Sequence, residues 1–147
     1  LSAYTAIYID TALFIYFIER HPIYLSQVRE VFRMIDENDL IGFSSILILT
    51  EVLSHPMKRG DVQMENQYRE ILTRSEGVEV IPVSLAIAER AAELRARYNL
   101  RTPDAIHVAT ALVSKCDAFL TNDSTLKRVI EIPILVIDEL TLEEDKE

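Results

Sequence analysis

Four acidic side chains stand where simple solvation does not account for them: Asp10, Glu51, Asp104 and Asp123. Asp10 directly follows the apolar run Ile7-Tyr8-Ile9, at the carboxyl end of an expected first strand. Asp123 follows Ala118-Phe119-Leu120 after two intervening residues, at the corresponding end of a later strand. Asp104 falls in the first turn of an otherwise apolar helix, and Glu51 is the only charge between Ser44 and Leu53.

Singly, three of them have ordinary explanations. A carboxylate in the first turn of a helix complements the macrodipole, which covers Asp104. An Asp after a strand is a common turn or capping residue, which covers Asp10 or Asp123. Glu51 is different, because an unpaired carboxylate on a buried helix costs several kcal/mol or shifts its pKa. No Lys or Arg lies within a turn or two before or after it, Lys58 being the nearest. The expectation is that a bound cation satisfies Glu51.

Four carboxylates on one edge repel one another unless divalent cations intervene, and hard cations take oxygen ligands. One cysteine is too few for a thiolate site, and His21, His55 and His107 show no His-x-x-x-His spacing. An acid-only site of this kind selects Mg²⁺ or Mn²⁺ rather than zinc.

The elements that must position these groups follow from the apolar pattern. Five runs read as strands: Ile7 to Ile9, Leu40 to Phe43, Val78 to Ile81, Ala118 to Leu120 and Ile134 to Ile137. Most are continuously apolar, as strands covered on both faces are. Between them lie helical stripes: Tyr24, Val28, Val31 and Ile35; Met64, Tyr68, Ile71 and Leu72; Ile87, Ala91, Leu94 and Tyr98. Glu89, Glu93 and Arg97 share the wet side of the third at i, i+4 spacing. Ser45 to Leu53 and Pro103 to Val113 are apolar nearly all round, the second with Thr102 as N-cap and Pro103 at the first helical position. Alternating strands and helices imply an α/β doubly wound domain, a central parallel sheet of about five strands flanked by helices. Such sheets gather ligands at the carboxyl ends of their strands, where Asp10 and Asp123 fall.

Composition bounds the rest. The chain of 147 residues fits one domain, read as 1–140 with an acidic tail at 141–147. No apolar stretch reaches the roughly 18 residues of a membrane span, and no secretory signal opens the chain. The lone Cys116 excludes an internal disulfide framework and suits a reducing cytoplasm. A net charge of −9 argues against nucleic acid, except that bound divalent ions reverse the local potential of an acidic site.

The order of motifs resembles the PIN-domain family, in particular the VapC-type ribonuclease toxins of prokaryotic toxin–antitoxin pairs. The matching segments are Ile7-Tyr8-Ile9-Asp10-Thr11, Thr50-Glu51-Val52-Leu53, Thr102-Pro103-Asp104-Ala105-Ile106-His107-Val108-Ala109-Thr110-Ala111 and Phe119-Leu120-Thr121-Asn122-Asp123. The resemblance implies a metal-dependent endoribonuclease in which Asp10, Glu51, Asp104 and Asp123 bind one or two divalent metals, with Thr11 and Thr121 orienting these carboxylates. It implies water as nucleophile, products ending in 5′-phosphate and 3′-hydroxyl, a cognate antitoxin that blocks the acidic cleft, and a homodimer. Met64 to Leu72 suits either a dimer interface or a core-facing helix. Arg101, Lys127 and Arg128 are candidate phosphate contacts, with a solvated rim as the ordinary reading. His107, three residues after Asp104, reads as a hydrogen-bonded core histidine.

Two rival functions bear weighing. A haloacid-dehalogenase-type phosphatase would carry a second Asp two residues after the first, where this chain has Ala12. A catalytically silent PIN-fold binding module would have lost a metal ligand, and all four acids are present.

Overall fold

The computed structural model describes residues 1, 3–74 and 77–140; the acidic tail expected at 141–147 lies outside them. Five strands form one parallel sheet: β1 (Ala6–Ile9), β2 (Ile41–Ser45), β3 (Val78–Ile81), β4 (Ala118–Thr121) and β5 (Ile134–Val136). Their order is β3-β2-β1-β4-β5, so β1 is central and the chain reverses direction across the sheet between β1 and β4. That reversal opens a crevice at the carboxyl ends of the two strands, the usual place for a ligand in a doubly wound sheet.

Among the described residues six α-helices cover the sheet: α1 (Thr11–Ile18), α2 (Leu25–Asp36), α3 (Leu47–Arg59), α4 (Val62–Arg69), α5 (Leu85–Tyr98) and α6 (Thr102–Val113). Alternate side chains of β1 enter opposite layers, as the two-residue period of a strand requires. Ile7 and Ile9 pack with Leu13, Phe14, Val28, Val31, Ile48 and Tyr68 beneath α1 to α4. Tyr8 packs with Ile87, Leu94, Ala105, Val108 and Phe119 beneath α5 and α6. The two layers together bury the central strands β1 and β4, which explains their mostly apolar composition.

Space in the first layer is tight at Gly42 on β2. A Cβ there would stand 2.9 Å from Ile35 Cδ1 and 3.0 Å from Ile9 Cδ1, so a side chain on β2 here would press on both isoleucines under α2.

Several local expectations are corrected. Helix α1 follows Asp10 at once, although its sequence carries no polar stripe that would announce an amphipathic helix; it is mostly apolar because it lies against α2, α3, α4 and β4. Ser45 closes β2 rather than opening a helix, and its Oγ accepts from Leu47 N–H. Helix α3 then runs past Leu53 and through Pro56 until Gly60 ends it with φ of 68°. At α6 the N-cap is Arg101, not Thr102, and Pro103 is the second helical residue. Arg101 supplies no capping hydrogen bond, because a guanidinium has no acceptor for the helix's free N–H groups; it donates instead to Asp104. The stripe from Met64 faces inward, with Tyr68 and Leu72 buried, which favours the core-facing alternative there. On the wet face of α5 the ion pairs are Arg90 with Glu93 and Arg97 with Glu131, rather than a ladder of Glu89, Glu93 and Arg97. Among the described residues no helix is long and apolar enough to cross a membrane.

Candidate active site

The crevice between β1 and β4 is organised by two threonines. Asp10 leaves β1 and caps α1, its Oδ1 accepting from Thr11 N–H at 2.9 Å. Its Oδ2 accepts from Thr121 Oγ1 at 2.7 Å. Thr121 is fully buried at the end of β4, and its Oγ1 also accepts from Asp123 N–H at 3.1 Å. One hydroxyl thus ties the ends of both strands and brings Asp10 and Asp123 to the same edge.

Thr11 does the same on the other side. While its N–H serves Asp10, its Oγ1 donates to Glu51 Oε1 at 2.8 Å. Glu51 projects from the middle of α3, so Asp10 and Glu51 become neighbours through a single residue. Burial raises the pKa of Asp10 above the ordinary aspartate value, against the opposing pull of His107, Thr121 and Thr11. A carboxyl group held this way gains most from an added cation.

Asp104 lies in the first turn of α6 and bonds to Arg101 Nε at 3.1 Å. Its charge is felt at both Asp10 and His107. Asp123 turns back into its own loop, accepting from Thr125 N–H at 3.0 Å and Thr125 Oγ1 at 2.6 Å. Arg101 is 79% exposed yet lies in the combined field of Asp104, Asp123 and Glu51. All four acids therefore share one electrostatic neighbourhood. They do not form a finished cage: among the described residues no three Asp, Glu, His or Cys side chains converge on one point for a metal. The donor chemistry fits a hard divalent cation, since every candidate ligand is a carboxylate and one is recessed without a direct cationic partner.

Glu51 is not without a partner. A hydrogen-bonding partner is already present, on another helix: His107 Nε2 lies 2.6 Å from Glu51 Oε1. Burial opposes ionisation of Glu51, but the hydrogen bonds from His107 and Thr11 outweigh it and hold the carboxyl below the usual glutamate range. For His107, burial opposes protonation, but Glu51 and the fields of Asp10 and Asp104 raise its basicity. His107 is also the buried histidine expected, 2% exposed, with Tyr8 Oη 2.5 Å from its Nδ1. Tyr8 was not foreseen as a polar partner. The only sequence signal was the spacing of His107 one helical turn beyond Asp104.

The basic residues considered for phosphate contact all have internal partners. Arg101 pairs with Asp104 and Lys127 with Glu139. Arg128 donates to the carbonyls of Thr125 at 2.6 Å and Tyr98 at 3.4 Å.

This arrangement can be set beside known proteins. The family model of the PIN domain matches residues 7–132. The chain belongs to the PIN-domain family. No curated protein matches the chain significantly in sequence. Among solved structures, a toxin–antitoxin complex from Klebsiella pneumoniae contains a chain 26% identical to this PIN domain. Its TM-score is 0.66, covering 92% of this chain and 100% of the other. FitAcB from Neisseria gonorrhoeae aligns with TM-score 0.68 at 16% identity, over 91% and 99% of the two chains. VapC20 from Mycobacterium tuberculosis, described as a toxin cleaving the sarcin–ricin loop, aligns with TM-score 0.62 at 17% identity, over 77% and 86%. The five-stranded parallel sheet and its helices are those of the PIN fold.

Proposed function

We propose that this PIN domain is a Mg²⁺- or Mn²⁺-dependent endoribonuclease and the toxin of a toxin–antitoxin pair. The observation that carries the reading is the linkage of Asp10, Asp123 and Glu51 through Thr121 and Thr11 at the carboxyl edge of β1 and β4. Asp10, Glu51, Asp104 and Asp123 would hold the cation. A divalent ion in such a site supplies Lewis-acid stabilisation of phosphodiester charge and makes water an effective nucleophile near neutral pH.

The protein's own groups prepare that chemistry. Thr121 and Thr11 fix two carboxylates by hydrogen bonds whose donors are themselves anchored in strand β4 and helix α1. Glu51, kept ionised beside His107, is better suited to binding a cation than to accepting a proton. Arg101, exposed at the rim, can exchange Asp104 for a substrate phosphate when a cation takes over the carboxylates. Hydrolysis by water then leaves a 5′-phosphate and a 3′-hydroxyl.

The Klebsiella relative was solved with an antitoxin, and a proteinaceous antitoxin is the partner proposed here. A cleft of about 610 Å³ between α1, α2 and α4, where Phe17, Ile18, Phe32 and Ile71 are rimmed by Asp36, Gln63, Asn66, Gln67 and Glu70, offers a seat of mixed character for it. A homodimer and action on cytoplasmic RNA complete the proposal.

The test is cleavage of a mixed RNA pool with Mg²⁺ or Mn²⁺ by wild type and Asp10→Asn. Metal-dependent cleavage with 5′-phosphate ends, lost in the variant and in excess chelator, supports the reading. Products bearing 2′,3′-cyclic phosphate would overturn the mechanism. Intact RNA together with no divalent-ion binding by calorimetry would favour a binding module.

A further inference from the structure

A continuous line of hydrogen bonds runs from the backbone of β2 to the exposed edge of the site. Ser45 N–H donates to Tyr8 Oη at 3.0 Å. Tyr8 Oη lies 2.5 Å from His107 Nδ1, and His107 Nε2 lies 2.6 Å from Glu51 Oε1. The line joins β2, β1, α6 and α3, and its imidazole is only 3% exposed.

The directions of these bonds follow from the chemistry of each group. The phenol oxygen receives the Ser45 proton, and its own proton points to the remaining neighbour, Nδ1. A phenol keeps its proton at neutral pH. Nδ1 is then an acceptor, and Nε2 carries the imidazole proton. That proton goes to Glu51 Oε1, a carboxylate acceptor at 2.6 Å that Thr11 Oγ1 also engages, rather than to Thr11 Oγ1 itself, which stands 3.4 Å from Nε2 and donates its own proton to Glu51. Among the described residues Glu51 Oε2 accepts no hydrogen bond.

We infer that Tyr8 and His107 are positioning residues, a fixed relay that holds His107 as its Nε2–H tautomer and turns the free Oε2 of Glu51 toward the divalent cation. The inference rests on the reading of Glu51 as a metal ligand. Without the relay, Glu51 is a long, partly exposed side chain free to sample several rotamers, and binding a cation would have to order it. With it, one oxygen is anchored and the other is available. Helix α6 thereby contributes twice on one face: Asp104 as a direct ligand and His107, one turn later, as the holder of a ligand from α3.

The test uses the full chain, imidazole ¹⁵N NMR and Mn²⁺ binding by calorimetry. Wild-type His107 should show the Nε2–H tautomer. His107→Leu should weaken Mn²⁺ binding about 10- to 100-fold, the usual effect of losing a partner that orients a ligand. His107→Gln places an amide donor near the Nε2 position and should recover affinity to within about threefold of wild type. Tyr8→Phe keeps the ring in the core and serves if His107→Leu fails to fold; it should shift the tautomer balance and weaken Mn²⁺ binding. A proton found on Nδ1 in wild type, or Mn²⁺ affinity unchanged in folded His107→Leu or in Tyr8→Phe, overturns the inference. Wild type that carries the Nε2–H tautomer but binds no Mn²⁺ also overturns it. Wild type that binds Mn²⁺ with the expected losses but cleaves no RNA leaves the relay standing and sinks only the nuclease reading.

Discussion

The hydroxyl of Thr121 stands 2.7 Å from the Asp10 carboxylate and pins the end of β4 to the end of β1. The same oxygen accepts the N–H of Asp123, so its loss would release both acids at once. Thr121→Val keeps the shape and removes the hydroxyl inside a fully buried site. Leaving buried partners unsatisfied costs about 1–3 kcal/mol, to be read from urea unfolding. Cleavage should fall about 10- to 100-fold, while Thr121→Ser should stay close to wild type. Undiminished cleavage by Thr121→Val would remove the threonine from the site.

Gly42 should resist even the smallest side chain. The added Cβ of Gly42→Ala would meet Ile35 and Ile9 in the packed layer under α2. Overpacking of this kind destabilises by about 1–3 kcal/mol. Ile35→Val removes the nearest methyl, so the double variant Gly42→Ala with Ile35→Val should be less destabilised than the two single effects combined. Simple additivity in chemical denaturation would mean that the clash is relieved elsewhere.

The centre of the sheet was legible in the sequence because β1 and β4 are covered on both faces and read as largely apolar runs. Ile7-Tyr8-Ile9 and Ala118-Phe119-Leu120 fall within β1 and β4, and with them the positions of Asp10 and Asp123. The partner of Glu51 was not legible. Looking along one helix for a cation finds Lys58, whereas the partner stands 56 residues away on α6 and belongs to a residue type readily assigned to the core. Helix α1 was missed for a related reason: with mostly apolar residues and no polar face, its eight residues carry no helical period to detect. What crosses between elements is fixed by packing, and local pattern holds little of it.

Asp117 fastens the start of β1. Its Oδ2 accepts from both Thr5 and Ala6 N–H at 2.9 Å, and these bonds hold its carboxyl below the ordinary aspartate range. A depressed folded pKa contributes stability above the unfolded value, lost as pH falls through the folded value. Asp117→Ala should therefore lower Tm at pH 7, and its deficit relative to wild type should disappear on acidification. A deficit that persists with Asp117 protonated would trace to packing instead of to these two bonds.

Asp10 should behave in the opposite sense. Burial raises its pKa in the folded chain, so the folded state binds the proton more readily than the unfolded one. The resulting penalty is fully present above the folded pKa and vanishes as pH falls through that value toward the ordinary aspartate range. In chelator at pH 7, Asp10→Asn should accordingly melt at or above the wild-type temperature, and the difference should shrink on acidification. Added Mn²⁺ should then reverse the order, because a ligand that binds only the folded wild type raises its stability by mass action. Thermal unfolding at several pH values, with chelator and with Mn²⁺, measures both effects on the same two proteins. If Asp10→Asn is less stable than wild type in chelator at every pH, the charged carboxylate is a structural asset rather than a group kept under tension for a cation.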